Sequence, residues 1–163
     1  MAELQLFSAT PADLDAVTLY RILRLRVDVF VVEQACPYPE LDGRDLEPSA
    51  RWMWASEADR LLATLRVLSD GPATARIGRV ATAIQARSAG VGGRLLRYAL
   101  DQIALDHSAP DHSAPDHSAP DVVLDAQSNL ADWYRRFGFE VDSDELVEDG
   151  IAHLPMRRPA GTA

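Results

Sequence analysis

The chain holds a single cysteine, Cys36, among 163 residues. No internal disulfide can form, and a thiol-rich zinc site is excluded. Long apolar runs are missing as well, and none approaches membrane-spanning length. The start, Met1-Ala2-Glu3, has neither the basic flank nor the apolar run of a signal peptide, so a cytoplasmic protein is expected. Positive charge is also short: 16 basic residues stand against 25 acidic ones, for a net charge of -9 and a pI near 4.8. Such a balance disfavours nucleic-acid binding through a basic face. It leaves room for a local basic patch that meets a small anion. The rest is ordinary for a globular protein, with 47% hydrophobic and 25% charged residues. The length suits one domain, residues 1–163, with a sizeable core.

The strongest local signal is Arg87-Ser88-Ala89-Gly90-Val91-Gly92-Gly93. It follows a strand-like run, Ala75 to Thr82, and opens a helical run, Arg94 to Leu105. Glycines let the backbone approach a ligand without side-chain clash. A helix that starts beside them presents unpaired N–H groups and the positive end of its dipole, a cradle for phosphate. Arg87, Arg94 and Arg97 lie close by. A Walker loop would need Gly-Lys-Ser/Thr, and here Gly93 is followed by Arg94-Leu95. A dinucleotide loop needs Gly-x-Gly-x-x-Gly after the first strand of its domain. This loop has another spacing and lies past the midpoint of the chain. Taken alone, the stretch is also compatible with a simple Gly-rich connection.

Other segments read by periodicity and punctuation. Leu4 to Ser8 suits a short strand. Thr10-Pro11-Ala12-Asp13 reads as a helix start with proline just inside it. Leu19, Leu23, Val27 and Phe30 recur at helical spacing, which predicts a helix from Asp13 to about Phe30 with Arg21, Arg24 and Arg26 on its wet side. Val31 to Asp45 is rich in Pro, Gly and acids and cannot be one regular element. Arg51 to Ser56 and Arg60 to Leu68 read as a hairpin turning at Glu57-Ala58-Asp59. Val122 to Ala126 suits a buried strand. Asn129 to Phe137 reads as a helix closed by Gly138 in a left-handed conformation. Phe139 to Val141 and His153 to Arg157 suit final strands, with a turn at Glu148-Asp149-Gly150.

Residues 106–121 are three copies of Asp-His-Ser-Ala-Pro and a closing aspartate. Proline at every fifth position prevents both helix and ladder. The repeat reads as a low-complexity surface insert. Its histidines and aspartates do not argue for a metal, because a mobile loop pays a large ordering cost to close on one.

The order strand, Arg-x-x-Gly-x-Gly, helix, strand, then Asn129-Leu130-Ala131-Asp132-Trp133-Tyr134-Arg135-Arg136-Phe137-Gly138-Phe139 resembles the GNAT superfamily of N-acetyltransferases. Phe30 to Tyr38, Asp42-Gly43-Arg44-Asp45, Ile77-Gly78-Arg79-Val80 and Glu148 to His153 resemble its ElaA-like subgroup, from about Leu19 to Arg157. Two departures are Ala152, where the subgroup usually has proline, and the pentapeptide repeat. The resemblance implies a single α/β (α+β) domain with a mixed, mainly antiparallel sheet flanked by helices. It implies acetyl-coenzyme A as co-substrate, without a metal. Its contacts would be Val80, Ala81, Arg87, Ser88, Ala89, Gly90, Val91, Gly92, Gly93, Arg94, Asn129 and Tyr134, with the loop on the pyrophosphate.

The chemistry can be argued from residue types. Amine acetylation needs a neutral amine and a proton for the departing thiolate. A thiol has a pKa of ~8.5 and a tyrosine ~10, so a tyrosine can supply that proton across a modest gap. The resemblance puts Tyr134 in that role; the alternative is a core aromatic with a bonded hydroxyl. Asn129 reads as an N-cap at the strand-to-helix entry, with cofactor contact as the other option. An alkyl amine with a pKa of ~10 arrives charged, so a base is required. Glu33, Asp125 and His153 are the candidates, directly or through water. Cys36 reads as a small buried apolar residue rather than an acyl carrier. Glu33, Glu40, Asp42 and Asp45 hint at a cationic acceptor. The expected function is direct acetyl transfer from acetyl-coenzyme A to a primary amine of a small molecule or peptide, by a monomer or homodimer without nucleic-acid or membrane partners. The alternatives are a non-catalytic acyl-coenzyme A-binding module and an enzyme using another acyl donor.

Overall fold

In the computed structural model, which describes residues 3–108 and 119–162, the first element is strand β1, Leu4–Ala9. It pairs antiparallel with β2, Arg51–Glu57, from Leu4 opposite Glu57 to Ala9 opposite Trp52. Phe7 stacks on Trp54 across this pair with ring centroids 5.2 Å apart. β2 returns as β3, Arg60–Ser69, and the turn carries Ala58 at φ 50°, the positive φ that tight hairpin turns demand. Residues 62–68 of β3 are buried without alternation, so both faces of that strand are covered.

The first helix, α1, runs over Ala16–Arg26 and starts later than the Thr10-Pro11 reading. The Asp15 carboxylate accepts the N–H groups of Val17 and Thr18 at 2.9 and 3.0 Å and caps it. Thr10 and Asp13 form a separate turn, with the Asp13 N–H on the Thr10 carbonyl at 3.1 Å. The buried stripe is Ile22, Leu25, Arg26 and Val29, not the one through Leu19, Leu23, Val27 and Phe30. Arg26 is therefore a core residue, 1% exposed, and not on the wet side. The helix widens to π geometry over Val27–Glu33. The Gln34 N–H reaches Val29 O at 3.3 Å and the Cys36 N–H reaches Val31 O at 3.2 Å, both five residues back. Cys36 is half-buried, so the fully buried reading fails.

Strand β4 spans Thr74–Thr82 and helix α2 spans Val91–Ser108. The helix starts three residues before the expected Arg94 and continues three beyond Leu105, into the first repeat copy. Most of the repeat lies outside the described residues.

The chain gathers into two compact units. The first comprises Met1–Leu68 and Gly78–Ala99; it holds β1-β2-β3, α1, the end of β4 and the start of α2. The second comprises Ser69–Ile77 and Leu100–Ala163. In it the start of β4 pairs in parallel with β5, Asp121–Gln127, from Thr74 opposite Asp121 to Arg76 opposite Val123. The final long strand, β8 (Ile151–Arg158), pairs antiparallel with β5 and also carries β6, Glu140–Val141, and β7, Leu146–Glu148. The β7–β8 hairpin turns through Asp149 and Gly150, both at positive φ. The expected helix from Asn129 to Phe137 is shorter: a 3₁₀ turn at Ser128–Leu130 precedes α3, Ala131–Arg135. Gly138 follows at φ 82°, as a left-handed helix terminator should.

Val122, Leu124, Ala131, Tyr134, Phe139 and Met156 are buried in this second unit, and each large apolar side chain there stabilises the fold by roughly 1.5–3 kcal/mol. Of the pairings β1–β2, β2–β3, β4–β5, β5–β8, β6–β8 and β7–β8, only β4–β5 is parallel. The fold is α/β with a mixed, mainly antiparallel strand arrangement. Among the described residues no helix is long and apolar enough to cross a membrane.

Candidate active site

The glycine loop belongs to the first unit. A 3₁₀ turn, Ile84–Ala86, carries the chain out of β4, and Ala86 is buried beneath it. Arg87 to Gly90 are exposed. Ser88 at φ 64° and Gly90 at φ 75° curl the backbone through left-handed conformations just before α2 begins at Val91. A Cβ on Gly90 would meet open space, so the glycine answers to backbone geometry rather than to crowding. The Arg94 N–H closes the first helical turn on Gly90 O at 3.0 Å. The N–H groups of that turn have no acceptor within the helix. Val91 is buried and anchors the helix start, while Gly92 and Gly93 are half-buried. Arg94 is exposed and has no side-chain partner among the described residues. Val80 and Ala81 lie in β4, half-buried and buried respectively.

Arg87 is held by three hydrogen bonds. Its Nε donates to Thr82 O at 3.1 Å, and its Nη1 and Nη2 donate to the two carboxylate oxygens of Glu33 at 2.6 and 2.7 Å. This guanidinium holds the Glu33 carboxyl below the ordinary range, against a smaller opposing effect of burial. A general base works best with a pKa near the operating pH, so a carboxylate held this way is a weak one. The structure thus brings two expected site residues together as an ion pair.

A buried charge cluster in the same unit was not anticipated. Arg26 Nε donates to Glu40 Oε1 at 2.6 Å, and its Nη1 donates to Asp45 Oδ1 at 2.7 Å. Arg66 reaches Asp45 at 3.0 Å and grips Asp42 through both oxygens. Arg79, at φ 53° within β4, donates to Glu40 O and to Asp42. Arg26 also faces the Trp52 ring, 5.3 Å from its centroid. The Arg66 guanidinium, chiefly by hydrogen bonding, pulls the Asp42 carboxyl down to about 2. Glu40 and Asp45 are only 4% and 6% exposed, so they serve these arginines and do not face a cationic acceptor as their sequence suggested. The sequence signals for this cluster were the subgroup-like stretches Asp42-Gly43-Arg44-Asp45 and Ile77-Gly78-Arg79-Val80, which hold three of its members.

The second unit holds the remaining candidates. Tyr134 is buried against Trp133 and Phe139, with ring centroids 4.8 and 6.0 Å away. Its hydroxyl has no hydrogen-bond partner among the described residues. Burial pushes the phenol well above its ordinary value. Asn129 does not cap α3: the cap position is Leu130, without a side-chain bond, and Asn129 sits exposed within the 3₁₀ turn. The turn intervenes because the chain tightens before the α-helix starts, which moves the cap one residue on. Asp125 is exposed and paired with Arg76 at 2.8 Å. His153 lies in β8 opposite Gln127 and Leu146, with Nδ1 2.9 Å from Ile151 O. A carbonyl only accepts, so Nδ1 carries a proton, and in the neutral ring Nε2 is the nitrogen that can accept. Among the described residues no cluster of His, Cys, Asp and Glu could hold a metal ion.

The chain is similar in sequence and fold to known proteins. The acetyltransferase (GNAT) domain family matches residues 24–159. A protein of Mycobacterium tuberculosis, UPF0039 protein Rv2851c, is 44% identical over 90% of this chain and 88% of its own length. Protein ElaA of Escherichia coli is 36% identical over 90% of this chain and 91% of its own, and its crystal structure superposes with a TM-score of 0.82. An acyl-CoA N-acyltransferase from Pseudomonas aeruginosa gives the same TM-score at 37% identity, covering 96% of this chain and all of that one. The loop geometry, the strand arrangement and these likenesses make the chain an acyltransferase that belongs to the GNAT acetyltransferase family.

Proposed function

We propose that this protein transfers an acetyl group from acetyl-coenzyme A directly to a primary amine. The observation that carries the reading is the glycine loop, where exposed left-handed backbone at Ser88 and Gly90 leads into the start of α2 beside Arg87 and Arg94. These residues fit a pyrophosphate, since they combine backbone donors, a helix N-terminus and cationic side chains. Bound acetyl-coenzyme A would supply an acyl thioester open to attack by the amine. Arg87 through Arg94 would hold its phosphates, with Val80, Ala81 and Asn129 as further contacts.

Tyr134 fits the acid role because its hydroxyl is unbonded among the described residues; burial keeps the phenol protonated but widens its gap to a thiol, which works against the transfer. It would give that proton to the departing thiolate. Of the three candidate bases, Glu33 and Asp125 are held by arginines, whereas His153 keeps an accepting Nε2. His153 is therefore the base we favour, taking the amine proton directly or through water. The acceptor is a small-molecule or peptide amine. A cytoplasmic monomer or homodimer without nucleic-acid or membrane partners is part of the same proposal.

Thiol release from acetyl-coenzyme A with a panel of amines and peptides tests the reading. Amine-dependent release with acetylated product supports it. Release only with longer acyl donors would replace the acetyl group, and stable donor binding without turnover on any amine would sink the catalytic assignment.

A further inference from the structure

The ion pair between Glu33 and Arg87 joins segments 54 positions apart in sequence. Glu33 closes the π-helical turn Val27–Glu33, and Arg87 opens the glycine loop. The pair is bidentate, and the third Arg87 contact runs to Thr82 O at the end of β4. A guanidinium has five N–H donors. Three are used here, which leaves two, one on each Nη. Both side chains are more than a third exposed, at 38% and 40%, so an anion can reach those donors.

We infer that Glu33 is a positioning residue for the acyl donor: it acts through Arg87, fixing that guanidinium at the end of β4 with two donors free for the pyrophosphate. This rests on the loop being the pyrophosphate site. An unrestrained arginine loses rotamer freedom when it grips phosphate, while one already held in a fork does not. The Glu33 charge opposes a phosphate, but at an exposed site solvent and salt screen that repulsion. The loss of direction on removing Glu33 is not screened. Glu33 thereby leaves the list of bases.

The test compares acetyl-coenzyme A with S-acetylpantetheine, which has no pyrophosphate. Glu33→Ala should raise KM and Kd for acetyl-coenzyme A about tenfold, the scale of one charge-assisted contact, with kcat changed less than about threefold. Its KM for S-acetylpantetheine should match wild type. Glu33→Gln, which keeps one acceptor, should fall between. In an Arg87→Ala background the Glu33→Ala change should add less than about twofold, because its effect passes through Arg87. Tighter acetyl-coenzyme A binding by Glu33→Ala would overturn the inference. So would a fall in kcat with both donors and a lost acidic limb of the pH profile, which would return Glu33 to the base role. A lower melting temperature with unchanged Kd would reduce it to a structural contact. Equal wild-type affinity for the two donors would instead remove the pyrophosphate reading of the loop.

Discussion

Replacing Arg26 by alanine should cost this protein a large part of its stability. Arg26 is 1% exposed and is hydrogen-bonded to Glu40 and Asp45, which are buried with it. Removing one partner of a buried ion pair typically costs 3–5 kcal/mol, because it strands the opposite charge. Here neither acid is left alone. Asp45 keeps Arg66 at 3.0 Å and Glu40 keeps Arg79 at 3.1 Å, which argues for the lower end. The contact with the Trp52 ring, desolvated here, adds about 2 kcal/mol. The sum is about 5 kcal/mol, out of a total of roughly 5–15 for a natural domain. At this chain length that corresponds to a fall of roughly 10–20 °C in melting temperature. Arg26→Lys should recover only part of it, since an ammonium cannot fork onto two carboxylates. Thermal melts followed by circular dichroism, with guanidinium titrations, would measure both. A melting temperature for Arg26→Ala within about 2 °C of wild type would refute the reasoning and imply that water enters the cluster and solvates the two acids.

Three further outcomes follow from the site and the cluster. Gly92→Asp places bulk and negative charge where phosphates are proposed to sit, so calorimetry should show no acetyl-coenzyme A binding by a folded variant. Tyr134→Phe keeps the packing against Trp133 and Phe139 and removes the hydroxyl; single-turnover rates should drop by about 100-fold, the scale of general acid catalysis, with little change in donor affinity. Rates within about twofold would make Tyr134 a packing residue. Asp42 titrates near 2 in the folded chain against an ordinary value of 3.8, so its contribution to stability is present above pH 4 and is lost as pH falls toward 2. The stability gap between wild type and Asp42→Asn should accordingly shrink over that interval, as read by denaturant titration.

What was legible in the sequence is what short-range physics decides. The hairpin at Ala58, the turn at Asp149-Gly150 and the left-handed Gly138 each depend on a few adjacent residues. The errors fall where a partner lies far away. Arg26 was placed on the wet side because Glu40 and Asp45 stand 14 and 19 positions further on, beyond any helical period. Counting it as polar also displaced the apolar stripe from Ile22, Leu25 and Val29. Glu33 read as a free carboxylate because nothing local announces Arg87. The π geometry of Val27–Glu33 and the irregular chain after it have one physical use in common. A straight α-helix continued from Arg26 would carry the acids that follow away along its axis at about 1.5 Å per residue. Only by leaving the helix can the chain bring Glu40 and Asp45 back to Arg26, and set Glu33 against the glycine loop. The stretch that resisted assignment to any regular element is irregular because its acids serve arginines on α1, β3, β4 and the loop.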